Sequence, residues 1–109
     1  MFELTQDQID GFRADGYVFH DGMIDDATVE TVRRSYERMF SGDFATGVLP
    51  DEVNWQEGKS DPSLTRQICC GWKGDYDVAR TVLRADIGKA CARLAGWPGA
   101  RVFVDNVLW

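Results

Sequence analysis

Apolar positions in the first 42 residues recur three and four apart in two separate blocks, which predicts two amphipathic helices. The first opens at Leu4-Thr5-Gln6-Asp7-Gln8-Ile9. Thr5 is placed as the N-cap, Gln8 three residues later completes a capping box, and Leu4 and Ile9 are spaced for a hydrophobic staple. Ile9 and Phe12 mark the apolar stripe, and Gly16 is placed to stop the helix. Tyr17-Val18-Phe19-His20 is aromatic and β-branched and predicts a short strand. Asp21-Gly22 predicts a turn. The second helix is predicted to begin at Asp25 as N-cap, with Ile24 and Val29 as its staple. Val29, Val32, Tyr36, Met39 and Phe40 share one face, and Gly42 marks the end.

Periodicity is lost over residues 43–64, where Gly47, Pro50, Gly58 and Pro62 are mixed with scattered charges. A loop of about twenty residues is unusual in a compact domain. Trp55 is expected to fasten it to the core, since aromatic side chains dominate buried area. Residues 65–72 are expected to be extended. Asp75 or Asp77 is placed to cap a short helix carrying Val78, Val82 and Leu83. Asp86 is placed to cap another, carrying Ile87, Cys91 and Leu94 and stopped by Gly96. Pro98-Gly99 makes a turn, and residues 101–109 predict a strand rich in Val and Phe.

Alternation places Arg101, Phe103, Asp105, Val107 and Trp109 on one face of that strand and Val102, Val104, Asn106 and Leu108 on the other. Both faces are largely apolar, so the strand is expected to be buried on both sides. Asp105 and Asn106 then need hydrogen-bond partners, either as a satisfied sheet-edge pair or with one of them facing a pocket. The organisation is a helix-strand-helix over 1–42, a loop over 43–64, short helices over 65–100 and a strand over 101–109, an α+β class. An apolar strand with an unpaired edge invites pairing with more chain, so further strands are expected beyond residue 109.

The chain has 109 residues, 44% of them hydrophobic and 12% aromatic, enough to build a core. Its net charge is −6, with five Lys and Arg against 13 Asp and Glu in residues 1–60 and seven against five in the remainder. Clustered basic residues, which binding to nucleic acid or an anionic membrane surface requires, are missing. No apolar run is long enough to span a bilayer, and MFELTQDQID lacks the regions of a signal peptide. A cytoplasmic setting is the default expectation. Three cysteines, two of them adjacent at Cys69 and Cys70, match neither a disulfide framework nor a zinc pattern, and they are expected as small buried hydrophobes.

Catalytic motifs are sparse. His20 is the single histidine, whereas the facial triad of non-haem iron needs two. Its neighbour Asp21 would point to the opposite face of a strand. A surface His at a strand end is the expected role. No nucleophile-base motif surrounds Ser35, Ser41, Ser60 or Ser63, and Gly71-Trp72-Lys73-Gly74 lacks phosphate-loop spacing.

Taken together, Leu4-Thr5-Gln6-Asp7-Gln8-Ile9 and Phe12-Arg13-Ala14-Asp15-Gly16-Tyr17-Val18 resemble the opening of the phytanoyl-CoA dioxygenase family. The turn Met23-Ile24-Asp25-Asp26 is similar to the one opening its second helix. Ala92-Arg93-Leu94-Ala95-Gly96-Trp97-Pro98-Gly99-Ala100-Arg101 resembles the stretch before its first long core strand, and Asp105-Asn106-Val107-Leu108-Trp109 resembles that strand. The resemblance spans nearly the whole chain. It implies a double-stranded β-helix, or jelly roll, with N-terminal helices outside it. It also implies Fe(II) held by a His-x-Asp pair and a distal His, with 2-oxoglutarate gripped by a basic group and a small-molecule substrate hydroxylated. The iron ligands would follow residue 109, so the chain by itself is expected to bind neither Fe(II) nor 2-oxoglutarate and to be inactive without the C-terminal barrel portion. The face of Asp105, Val107 and Trp109 resembles the family's pocket-lining face, with position 109 near 2-oxoglutarate. Trp72 and Lys73 resemble a recurring tryptophan-lysine feature.

Two other expectations compete with this one. One is a small acidic binding module presenting Trp55, Trp72, Trp97 and Trp109 as an aromatic surface patch. The other is a homologue that has lost its metal site. The oxygenase expectation differs in requiring a raw apolar face around residues 101–109.

Overall fold

Thr5 opens the first helix through the capping box written in the sequence. Its hydroxyl oxygen accepts the Gln8 N–H at 3.2 Å, and the Gln8 side-chain carbonyl accepts the Thr5 N–H at 3.0 Å. The structure, a computed structural model, describes residues 2–109. It runs α1 Gln6–Asp15, α2 Asp26–Phe40, β1 Glu52–Val53, β2 Gln67–Cys69, a 3-10 turn Gly71–Lys73, α3 Tyr76–Val82, α4 Ala85–Ala95 and β3 Asn106–Leu108. The class is α+β with a small open antiparallel sheet of order β1-β2-β3. Among the described residues no helix is long and apolar enough to cross a membrane.

The chain divides into two compact units, the first formed by the residues up to Asp25 with Leu83–Val102, the second by Asp26–Val82 with Phe103–Trp109. In the first, Leu4 and Ile9 bury together with Ala90, and Phe2 and Leu94 pack against them. Gly16 ends α1 at φ 81°, a conformation that costs glycine little. Asp86 is not the cap of α4 that its position predicts. Arg84 holds the N-cap position without a side-chain bond, and Asp86 lies within the first turn. Its carboxylate takes Arg84 Nη2 at 2.6 Å, Arg84 Nε at 3.0 Å and the Phe2 N–H at 3.2 Å. Arg84 also donates to the Met23 carbonyl at 2.6 Å. The Arg84 guanidinium, aided by the N–H groups of Phe2 and Ile87, holds the Asp86 carboxyl far below the usual carboxylate range against the opposing effect of burial.

The second unit is built on one layer of the sheet. Val53, Ile68 and Val107 stand opposite one another across the three strands. They pack on Met39 and Phe40 of α2, Val78 of α3 and Trp55. Asp75 caps α3, accepting the N–H groups of Asp77 at 2.9 Å and Val78 at 3.1 Å, while its other oxygen takes Arg38 Nη2 at 2.8 Å. Trp55 fastens the long loop as its size predicts. The indole is buried, its N–H donates to the Asp61 carbonyl at 2.9 Å, and the Arg66 guanidinium lies 3.9 Å over the ring.

Several local expectations fail for reasons of partnership. Residues 17–20 form no strand, and Phe19 is 82% exposed. Propensity without a neighbouring strand leaves backbone N–H and C=O groups unpaired. Of residues 101–109 only Asn106–Leu108 form strand, because β2 offers only three residues to pair with. Cys70 then turns away at φ 56°, ending the ladder. The expected burial on both faces holds only for Val107; Phe103, Val104 and Leu108 are exposed. Residues 65–72 are extended only over β2, and Trp72 lies in the 3-10 turn. Val29 is exposed, so α2 buries the C-terminal half of its stripe. Cys70 is buried, but Cys69 is only half-buried and Cys91 is exposed on the outer side of α4.

Candidate functional site

Three of the five residues suggested by the sequence, Trp72, Asp105 and Val107, meet where the 3-10 turn crosses the start of β3. Gly71 makes this crossing possible. A Cβ there would meet Val107 Cγ2 at 2.7 Å and Met39 Cε at 3.2 Å, so a side chain at that point would force the turn or its neighbours to shift. Asp105 ties the two together, its carbonyl accepting the Cys70 N–H at 2.8 Å and its carboxylate facing the Trp72 N–H at 3.4 Å. Burial raises the Asp105 carboxyl pKa despite the opposing N–H groups of Trp72 and Gly71. Burial also raises the Tyr36 phenol, and the nearby Asp105 carboxylate opposes its ionisation further. Val107 is fully buried and forms the floor.

Trp109, the fifth residue, lies two positions further along the strand. The Tyr36 ring meets it edge-on at 6.3 Å, and the Arg33 guanidinium sits 5.7 Å from its centroid. The sequence placed Tyr36 only on the apolar face of α2 and gave Arg33 no role. Their three-residue spacing, which places both on one side of α2, was the available signal.

Lys73 faces away from this stack. Its ammonium lies 2.5 Å from Asp51, 5.9 Å from the Trp72 ring centroid. The Asp51 carboxylate also takes the Cys70 thiol, and this bond, followed by burial and the Cys69 thiol, pushes the Cys70 pKa up to about 11. Cys70 is thus a protonated thiol at neutral pH and a poor nucleophile. Asn106 is the satisfied sheet-edge polar group, accepting from Gln67 Nε2 at 2.9 Å.

Among the described residues no three His, Cys, Asp or Glu side chains gather as a metal site. The His20 ring stacks on Phe2 at 4.7 Å, and its Nδ1 lies 3.4 Å from Gln8 Nε2. A single histidine does not make the two-histidine facial triad of non-haem iron. Of the four tryptophans, Trp55 is buried, Trp72 is half-buried against the core, and Trp97 and Trp109 are exposed.

No family model, curated protein or solved structure matches the chain.

Proposed function

We propose that residues 1–109 are the N-terminal part of a non-haem Fe(II)- and 2-oxoglutarate-dependent dioxygenase of the phytanoyl-CoA dioxygenase type, acting on a small-molecule or acyl substrate in the cytoplasm. The observation that carries this reading is the outer edge of β3. The sheet is open, with β2 on one side of β3 and no strand on the other among the described residues. Along that edge Phe103 is 95% exposed, Leu108 59% and Trp109 43%. An unpaired apolar edge of this kind is covered in stable proteins by another strand, helix or loop. A jelly roll continuing from β3 supplies that cover, and two helices precede the terminal strand as in the sequence resemblance, without the strand it implies between them.

In this reading the present residues supply helices, the first strand of the barrel and the shelf of Tyr36, Asp105 and Trp109. Iron and cosubstrate are held by barrel residues beyond 109. The reading is tested with the product of the whole reading frame, purified with Fe(II) and incubated with 2-oxoglutarate. Formation of succinate that stops on removal of Fe(II) supports it. Absence of 2-oxoglutarate turnover in the presence and absence of candidate acyl and polar metabolites refutes it.

A further inference from the structure

The second unit carries a cleft of about 460 Å³ between the end of α2, the loop after it and β1. Its inner wall is apolar, formed by Met39, Phe40, Phe44, Pro50 and Val53. Leu49, also in the lining, is 71% exposed. The walls are held in place from outside. Thr46 donates its hydroxyl to the Lys73 carbonyl at 2.5 Å and its N–H to the Gly74 carbonyl at 3.2 Å. The Glu57 N–H reaches the Phe40 carbonyl at 3.3 Å. Phe44 and Pro50 rest on Gly74, where a Cβ would come within 2.9 Å and 3.2 Å of them. The cleft is therefore preformed, and its volume falls within the range of small-ligand sites, roughly 300–1,000 Å³.

The charged lining gives the cleft a sign. Asp51 is neutralised by Lys73 at 2.5 Å. Among the described residues, the carboxylates of Glu52 and Glu57 have no hydrogen-bond or ion-pair partner. Lys59 is the only basic residue of the lining. Two unpaired carboxylates beside one ammonium leave the rim negative.

We infer that this cleft binds an amphipathic organic cation, an apolar body seated on Phe44 and Val53 with a protonated amine held at Glu52 and Glu57. Apolar burial provides most of the affinity. The carboxylates select the cation and reject an anion of the same shape, by charge complementarity more than by raw strength. The inference does not depend on the oxygenase reading.

The product of the whole reading frame is titrated with 4-phenylbutylammonium, 4-phenylbutanoate and 4-phenylbutan-1-ol and followed by backbone amide NMR. The amine is expected to saturate with a Kd of about 1 mM, as its size dictates. Its shift changes are expected at residues 41–44 and 49–57, and it should bind about five-fold tighter than the carboxylate, the upper range for partly exposed ion pairs. The double variant Glu52→Gln/Glu57→Gln, altered only at exposed side chains, is expected to retain its spectrum and lose that preference. The inference is overturned by equal binding of amine and carboxylate, by shift changes confined to other residues, by a lack of saturation, or by a double variant that keeps the preference.

Discussion

Asp75 is the most connected buried charge of the second unit, and its removal has a magnitude that can be worked out. It is fully buried, and its two oxygens serve the α3 N-terminus and Arg38 separately. Burial pushes its carboxyl up, but the Arg38 guanidinium, the Val78 N–H, the Ser35 hydroxyl and the Asp77 N–H outweigh that effect and hold the pKa below the usual carboxylate range. Asp75→Ala removes an N-cap, worth about 1 kcal/mol, and a charge-assisted hydrogen bond, worth about 1.5–3 kcal/mol. Arg38 is partly exposed and regains water, which places the ion-pair contribution at the low end. The expected total is about 2.5–3 kcal/mol. Asp75→Asn keeps an oxygen for the two N–H groups and loses the charge, so about 1–2 kcal/mol is expected from the same ranges. The assay is urea denaturation followed by the fluorescence of buried Trp55, together with Arg38→Ala and the double variant. The coupling between positions 38 and 75 should be about 1 kcal/mol and should vanish in Asp75→Asn. Equal losses for Asp75→Ala and Asp75→Asn, or a loss below about 1 kcal/mol for Asp75→Ala, would refute the division into cap and ion pair.

Other consequences follow from the same packing. Gly71→Ala drives a Cβ into Val107 and should cost about 1–3 kcal/mol by overpacking, read as a lowered urea midpoint; an unchanged midpoint contradicts the close crossing of turn and strand. Cys91 should be alkylated by iodoacetamide at pH 7.4 well before Cys70, whose thiol is buried and has a pKa of about 11; peptide mass mapping that finds Cys70 modified as fast as Cys91 contradicts the Asp51–Cys70 bond. Asp86 has a folded pKa depressed below its unfolded value, so its contribution is complete above about pH 4 and lost as pH falls through the folded value. Asp86→Asn should therefore lower stability at pH 7 and weaken its acid dependence, measured by circular dichroism from pH 7 to pH 2; a variant as acid-sensitive as the parent contradicts the Arg84–Asp86 linkage.

Local signals were legible where the responsible atoms lie within a few residues of one another. The Thr5–Gln8 box, the glycine stops at Gly16 and Gly96 and the anchoring role of Trp55 follow from near neighbours or from size, and the cap of α3 was narrowed to Asp75 or Asp77, of which the structure uses Asp75. Strand extent was not legible, because it is fixed by the partner. Residues 17–20 and 101–105 have strand-like composition, but β2 spans three residues and pairs only with what lies beside it. Asp86 was misread because an acidic residue beside a helix start also serves as an arginine acceptor, and Arg84 lies two residues away. The candidate site was partly legible. Alternation along residues 101–109 placed Asp105, Val107 and Trp109 on one side, and the structure keeps Val107 inward and Trp109 against Tyr36. The crossing of the 3-10 turn at Gly71 and the link from Lys73 to Asp51 join residues 22 to 36 positions apart, for which the sequence carries no local signal.

The oxygenase reading depends most directly on the codons that follow Trp109. Sequencing the gene downstream is predicted to show an open frame that continues through a Gly- and Pro-rich turn to a His-x-Asp pair within roughly two dozen codons, the pair that a facial triad requires. A stop codon immediately after Trp109, or a continuing frame without any His-x-Asp pair, would contradict the account.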